Sequence, residues 1–168
     1  MVLHLHKVSN VMKSTINVTI EHLEGIIKDL DNSKYFLLNL SNESASRTDL
    51  FNFALALGLN EGHPTKLSTS KGLIRTSNED VKPFFFMYKS IYFDKVISED
   101  ESTIDSITDI DAAFELVEEY ANTGFNVLSK MKEDYPEDEH FMKKLLSIID
   151  SIQKEYKSEF GVKAIYTE

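Results

Sequence analysis

The sequence predicts a mainly α protein, a single compact bundle of about five helices that forms one domain over residues 1–168. Apolar residues recur at spacings of three and four along 109–135 and 137–160, as they do on the buried face of a helix. Pro136 separates these two stretches and leaves only a short corner, so we expect a C-terminal antiparallel helical hairpin. The composition, 42% hydrophobic and 27% charged, is ordinary for a globular protein.

The N-terminal part predicts one helix and leaves two short segments open. Weak alternation in MVLHLHKV is compatible with a short terminal strand. Thr19 can cap a helix of about 20–30, with Glu21 near the positive end of the helix dipole. The apolar run YFLLNL at 35–40 is either strand or helix, because its length does not distinguish the two periodicities.

A buried helix follows at 47–57, and an irregular basic loop comes after it. Ser46 or Thr48 can cap the helix, and Gly58 stands where a helix commonly ends. The loop at 58–76 contains three glycines and a proline, which predict that no continuous helix crosses it.

The stretch FFFMYKSIYF lies in a predicted helix of 79–97, which tolerates Pro83 in its first turn. Six of the chain's eighteen aromatic residues are concentrated there. Aromatic side chains of this size require burial, either in the core or against a partner, and the core is the favoured interpretation.

The helix of 109–135 carries small residues on its apolar stripe. Glycine inside a helix costs about 1 kcal/mol relative to alanine, so Gly124 predicts the close approach of another helix at this point. The stripe consists of Ile110, Phe114, Val117, Ala121, Gly124, Leu128, Met131 and Tyr135.

Charge is distributed unevenly along a chain whose net charge is −10. Residues 1–75 carry eight basic and seven acidic side chains, whereas 76–168 carry ten and twenty-one. Ten of the acids fall within 94–119, a surface that repels nucleic acid and could attract a basic protein. The simpler interpretation is a solvated face that keeps the protein soluble, and it is the favoured one.

The common catalytic and metal-binding patterns are missing, so we expect no enzyme activity, no metal and no cofactor. The chain has no cysteine, no nucleophile elbow and no Walker loop. Glu137 and His140 are the one Glu-x-x-His pair, where a carboxylate di-metal site needs two. His4 and His6 would share a face of a terminal strand, which by itself is a weak chelating pattern.

The basic loop holds the best remaining candidates for binding. Lys66, Lys71 and Arg75 alternate with hydroxyl side chains and could contact phosphates. The alternatives are that the lysines are merely solvated and that Arg75 pairs with an acid and fastens the loop to the domain.

Four segments together resemble small proteins associated with DNA phosphorothioation (Dnd) defence systems. They are DLFNFALALG at 49–58, KLSTSKGLIR at 66–75, FFFMYKSIYFDKVI at 84–97 and FELVEEYANTGFNVL at 114–128. In that family an apolar helix ending in Leu-Gly precedes a Pro-Leu…Ile-Arg stretch and an EEYAN-x-G helix. Pro64 departs from the pattern, since it lies three residues before Leu67 and not next to it.

The resemblance implies a non-catalytic accessory subunit of a bacterial anti-phage defence complex that binds larger effector proteins. An acidic, DNA-mimicking inhibitor of a nuclease is the alternative, and direct nucleic-acid binding is possible only through the 62–76 loop. We expect a cytoplasmic protein, because no apolar run approaches the ~20 residues that cross a bilayer. The residues expected to bind partners are Lys66, Lys71, Arg75, Glu118, Glu119, Tyr120 and Asn122.

Overall fold

The computed structural model describes residues 13–32, 46–97 and 109–160, and within them it confirms a mainly α, compact fold with a small two-stranded sheet. The strand expected at 1–8, the apolar run at 35–40 and the pair His4 and His6 lie outside these ranges. The elements in chain order are β1 (Thr15–Thr19), α1 (Ile20–Glu24), α2 (Ile26–Asn32), α3 (Arg47–Glu61), β2 (Ser70–Arg75), α4 (Phe85–Tyr92), α5 (Ile110–Asp134) and α6 (Asp138–Phe160).

Helix α3 begins where its sequence predicts and ends later. The Ser46 hydroxyl accepts a hydrogen bond from the Asp49 amide, while the Asp49 carboxylate accepts one from the Ser46 amide, so a capping box starts the helix. The predicted end at Gly58 is wrong. The helix continues to Glu61 and stops at Gly62, whose φ of 79° lies in the left-handed region that favours glycine.

Gly58 has a different role, because α3 and α5 cross there almost backbone to backbone. A Cβ atom at Gly58 would lie 1.8 Å from the carbonyl oxygen of Tyr120, and one at Gly124 would lie 1.8 Å from that of Ala54. The two helices also make the most extensive contact between described elements. The close helix approach predicted from Gly124 is confirmed, and Gly58 is its counterpart.

The helix predicted at 20–30 is present but divided at Gly25. Helices α1 and α2 flank this glycine, whose backbone departs from helical geometry while its amide still donates to the Glu21 carbonyl. Thr19 occupies the N-cap position, yet its hydroxyl makes no capping bond. Instead it donates to the Asn122 side chain, at 2.7 Å.

The expectation of an irregular loop over 58–76 is wrong for its last part, where β2 pairs antiparallel with β1. Ile16 and Val18 of β1 face the core, and Leu73 and Ile74 of β2 join them there. Two consecutive residues of β2 are buried because the pairing shifts register between Ile16 and Asn17.

The predicted helix of 79–97 is a composite of three helical types. A 3₁₀ turn at Lys82–Phe84 contains Pro83, α4 follows, and a π-helical turn at Phe93–Ile97 completes the run. Its aromatic residues divide between core and surface, because α4 packs against α5 with one face only.

Helices α5 and α6 lie on either side of the corner that Pro136 predicts. Asp109 caps α5 by accepting from two backbone amides, and Pro136 lies in the connection to α6. Phe141 and Leu145 of α6 are buried in the same hydrophobic cluster as Leu128 and Met131 of α5, so the first two turns of α6 close this end of the core.

Candidate functional site

The segment that joins α3 to β2 is fastened to α5 by polar contacts. The backbone amide of Thr65 donates to the carbonyl of Glu119 at 3.1 Å. The Thr123 hydroxyl donates to the carbonyl of His63 at 2.9 Å and also bonds the Thr65 hydroxyl. A chain segment without regular structure is thereby held in one place against the helix.

Asn122 is the centre of this attachment. Its side-chain amide nitrogen donates to the carbonyls of Thr65 and Lys66, at 3.2 and 3.3 Å, and its oxygen accepts from Thr19. The residue is 5% exposed. Asn122 thus connects the start of α1, the segment before β2 and the middle of α5.

Glu118, one turn away on α5, fastens the N-terminal segment. Its carboxylate accepts from the Lys13 ammonium at 2.8 Å and from the Asn17 backbone amide at 2.7 Å. The second bond gives the Asn17 amide of β1 an acceptor at the point where the pairing with β2 shifts register. Desolvation raises the pKa of Glu118, and the bonds from Lys13 and Asn17 oppose that rise.

The structure buries Glu118, Tyr120 and Asn122, so the expectation that these three lie on a partner-binding surface is wrong, whereas partner binding by Glu119 stays a prediction. Glu118, Tyr120 and Asn122 are 4–5% exposed, and only Glu119 is half-buried. The reason is that α3, the sheet and the segment at 63–66 cover α5 from several sides.

The basic candidates do lie on the surface. Lys66 precedes the sheet, while Lys71 and Arg75 belong to β2, and all three are exposed. None of them forms an ion pair with another described residue. Arg75 does not fasten the loop through its side chain; the pairing of β2 with β1 holds the segment. A role of these three residues in binding stays a prediction.

Helix α4 and the start of the π-helical turn that follows it carry an exposed surface, within the aromatic stretch for which the sequence left core or partner contact open. Phe86 is 82% exposed and Phe93 51%, and the two lie seven residues apart, which is two helical turns. Lys89 lies between them on the same side of the helix and is also exposed. We call Phe86, Lys89 and Phe93 the α4 face. Met87, 37% exposed, borders it along a groove of about 380 Å³ next to Leu59.

The opposite side of α4 holds the helix firmly in place. Tyr88 is fully buried, makes edge contacts with Phe51 and Phe114, and donates its hydroxyl to Asn52 at 2.8 Å. Phe85 contacts Phe114 in the same way, with ring centroids 5.3 Å apart. Burial strongly raises the pKa of Tyr88, so the hydroxyl stays a donor at neutral pH. The orientation of the α4 face is consequently fixed by the core.

His22 lines a cleft of about 600 Å³ between α1, α2 and α5. Its ring stacks at a tilt on Phe125, and desolvation lowers its pKa, opposed by Glu21 and by hydrogen bonds to Asn126 and Asn122. The side-chain hydrogen bonds of the His22 ring are made with the amides of Asn122 and Asn126.

The other residues considered for metal binding do not come together as a metal site within the described residues. The Nδ1 atom of His140 lies 3.1 Å from a carboxylate oxygen of Glu137, in an exposed pair on α6. Within 13–32, 46–97 and 109–160 no group of three His, Asp or Glu residues is arranged to hold a metal ion. Of the acidic run at 94–119, Asp109 caps α5 and Asp111 accepts from the Lys13 amide, so these carboxylates have structural roles.

Comparison with family models, with curated proteins and with solved structures finds no match to this chain. The resemblance to proteins of Dnd systems therefore stays a prediction. Of the helices in the described ranges, none combines the length and the apolar character needed to span a bilayer.

Proposed function

We propose that this protein is a non-catalytic interaction subunit that binds a larger protein through the α4 face. The exposure of Phe86 and Phe93 is the observation that carries the proposal. Two phenylalanines exposed two turns apart on one helix are costly in water, and apolar patches of this kind mark binding sites. The rigid attachment of α4 through Tyr88 favours recognition, because little conformational entropy is lost on binding.

The biological setting of the proposal comes from the resemblance: an accessory subunit of a bacterial anti-phage defence complex. Lys66, Lys71 and Arg75 form a second exposed group, which could supply polar contacts to the same effector. The acidic inhibitor ranks below this proposal, because several acids of 94–119 are used inside the fold.

Co-expression with the products of neighbouring genes tests the proposal. We expect one of them to co-elute with the wild-type chain on size-exclusion chromatography. The double substitution F86S/F93S should abolish co-elution, whereas Leu146→Ser, which changes another exposed apolar residue (56% exposed), should not. Elution as a free monomer with every neighbouring product, or a complex insensitive to F86S/F93S, would overturn the proposal.

A further inference from the structure

The α4 face carries an exposed cation, Lys89, in a chain that is acidic as a whole. Residues 79–97 contain three lysines and three acids, a net charge of zero in a protein of net charge −10. Lys82 pairs with Glu79 at 2.5 Å, and Lys95 lies 3.4 Å from Asp94. Lys89 has no ion-pair partner among the described residues. Lys89, which lies between the two exposed rings, is therefore the lysine of this segment that is available to a partner.

The position of Lys89 argues against a second copy of this chain as the occupant. A two-fold pairing of α4 with itself would place Phe86 against Phe93 of the other copy, and the two Lys89 ammonium groups close to the axis. Like charges in a desolvated interface centre oppose association.

From these observations we infer that the α4 face binds an acidic amphipathic helix of the partner protein. This inference rests on the proposed function and specifies the partner's chemistry. Two apolar side chains of the partner helix, seven residues apart, lie against Phe86 and Phe93, and an Asp or Glu between them pairs with Lys89. This is the helix-in-groove mode of recognition, in which anchors recur at one- and two-turn spacings.

A display selection with helical peptides tests the chemistry without a known partner. The library is built on an alanine-rich scaffold of about 18 residues, long enough to form a helix, with one face randomised. The wild-type protein is the target, and F86S/F93S is the counter-target. We expect the peptides that distinguish the two proteins to carry apolar pairs seven residues apart with Asp or Glu between them. Enrichment of Lys or Arg at that position, or no peptide that distinguishes the two proteins, would overturn the inference.

A charge exchange then isolates the ion pair. For a selected peptide, Phe86→Ser should weaken binding by about thirtyfold, the effect of losing an aromatic hot spot. Lys89→Glu should weaken it by about three- to tenfold and should restore the affinity for a peptide in which the acid is replaced by Lys. Leu146→Ser is the matched control and should change neither affinity. Equal binding of both peptides to wild type and to Lys89→Glu would contradict a role for Lys89.

Two other possible occupants of the α4 face would give different results in these experiments. If the peptides bind only after 98–108 is replaced by a Gly-Ser linker, the chain's own acidic segment occupies the face, and the inference is wrong. A dimer in sedimentation equilibrium that F86S/F93S dissociates would assign the face to a second copy and would also overturn it. An effector complex that forms normally with Lys89→Glu would refute this inference while the proposed function stands.

Discussion

Replacing Gly124 with alanine is the substitution for which the structure and local helix propensity predict opposite results. By propensity alone, alanine inside α5 should stabilise the protein by about 1 kcal/mol. In the structure the added Cβ would lie 1.8 Å from the carbonyl oxygen, 2.6 Å from the carbonyl carbon and 2.9 Å from the Cα atom of Ala54. These are backbone atoms of α3, which cannot rotate away as the end of a flexible side chain can.

The cost follows from the separation that the new atom requires. Ordinary contact begins near 3.4 Å, so the Ala54 carbonyl must retreat by about 1.6 Å, the difference from 1.8 Å. Moving α3 by that distance opens the largest helix contact of the fold, where Phe51 and Phe125 are fully buried. Overpacking in cores costs about 1–3 kcal/mol and sometimes more. We expect Gly124→Ala to lose about 3 kcal/mol, the upper part of that range.

Urea denaturation followed by circular dichroism measures this loss. With an m-value of about 2 kcal/mol/M, the midpoint should fall by about 1.5 M. Gly62→Ala is the control for the glycine backbone: its Cβ meets nothing within 4 Å, but its φ of 79° should cost about 1 kcal/mol. The double variant with Gly58→Ala should lose less than the sum of the two single losses, because helices already separated accept the second methyl more easily. A Gly124→Ala protein as stable as wild type would refute the crossing as described.

Three further substitutions test the polar contacts. Asn122→Ala should cost about 2–3 kcal/mol, because the Thr65 and Lys66 carbonyls lose their donor in a partly buried site, and limited proteolysis should then cut near them. Ser46→Ala should cost about 1 kcal/mol by removing the capping box, as urea denaturation would measure. His22→Phe should remove a pH dependence of the free energy of unfolding. Burial lowers the His22 pKa below 6.5, so in the wild type the unfolded chain binds a proton at a higher pH than the folded chain does. Stability should therefore fall by up to about 1.4 kcal/mol per pH unit below 6.5.

Each of these predictions has a result that contradicts it. An Asn122→Ala protein with unchanged stability and protease sensitivity would mean that the 63–66 segment is held by other contacts. For the N-cap, Ser46→Thr is the control and should keep most of the stability that Ser46→Ala loses. For His22, the free energy of unfolding is measured between pH 7.5 and 5.5 in the wild type and in His22→Phe. The wild type should lose up to about 1.4 kcal/mol more per pH unit below 6.5 than the variant does. Parallel slopes would show that His22 is not neutral in the fold.

Features that depend on neighbours in sequence could be predicted from the sequence. The stripe along 109–135 repeats with the helical period and predicts a helix there. The structure has α5 from Ile110 to Asp134, with Asp109 as its N-cap. Gly124 stood out because glycine inside a helix needs a packing reason, and the structure supplies it in Ala54. The capping box at Ser46 is likewise a local pattern.

The strand β2 and the burial of Glu118 could not be read in the same way. Residues Ser70–Arg75 become a strand because β1 supplies the opposite hydrogen bonds, and β1 lies more than fifty residues earlier in the chain. Glu118 looks like a surface acid until Lys13 and the Asn17 amide, about one hundred residues away, pair with its carboxylate. Helical periodicity carries no information about such partners.

The sequence by itself determined that this chain is mainly helical, where its long helices lie and that two of them approach closely, because periodicity, capping and glycine placement act over one or two turns. Only the tertiary structure decided which residues the solvent reaches. It buried Tyr120 and Asn122, and it left Phe86 and Phe93 exposed. The physical reason is that the apolar residues of α4 surround the helix, so the side that becomes core is chosen by the position of α5 and not by the pattern of α4 itself.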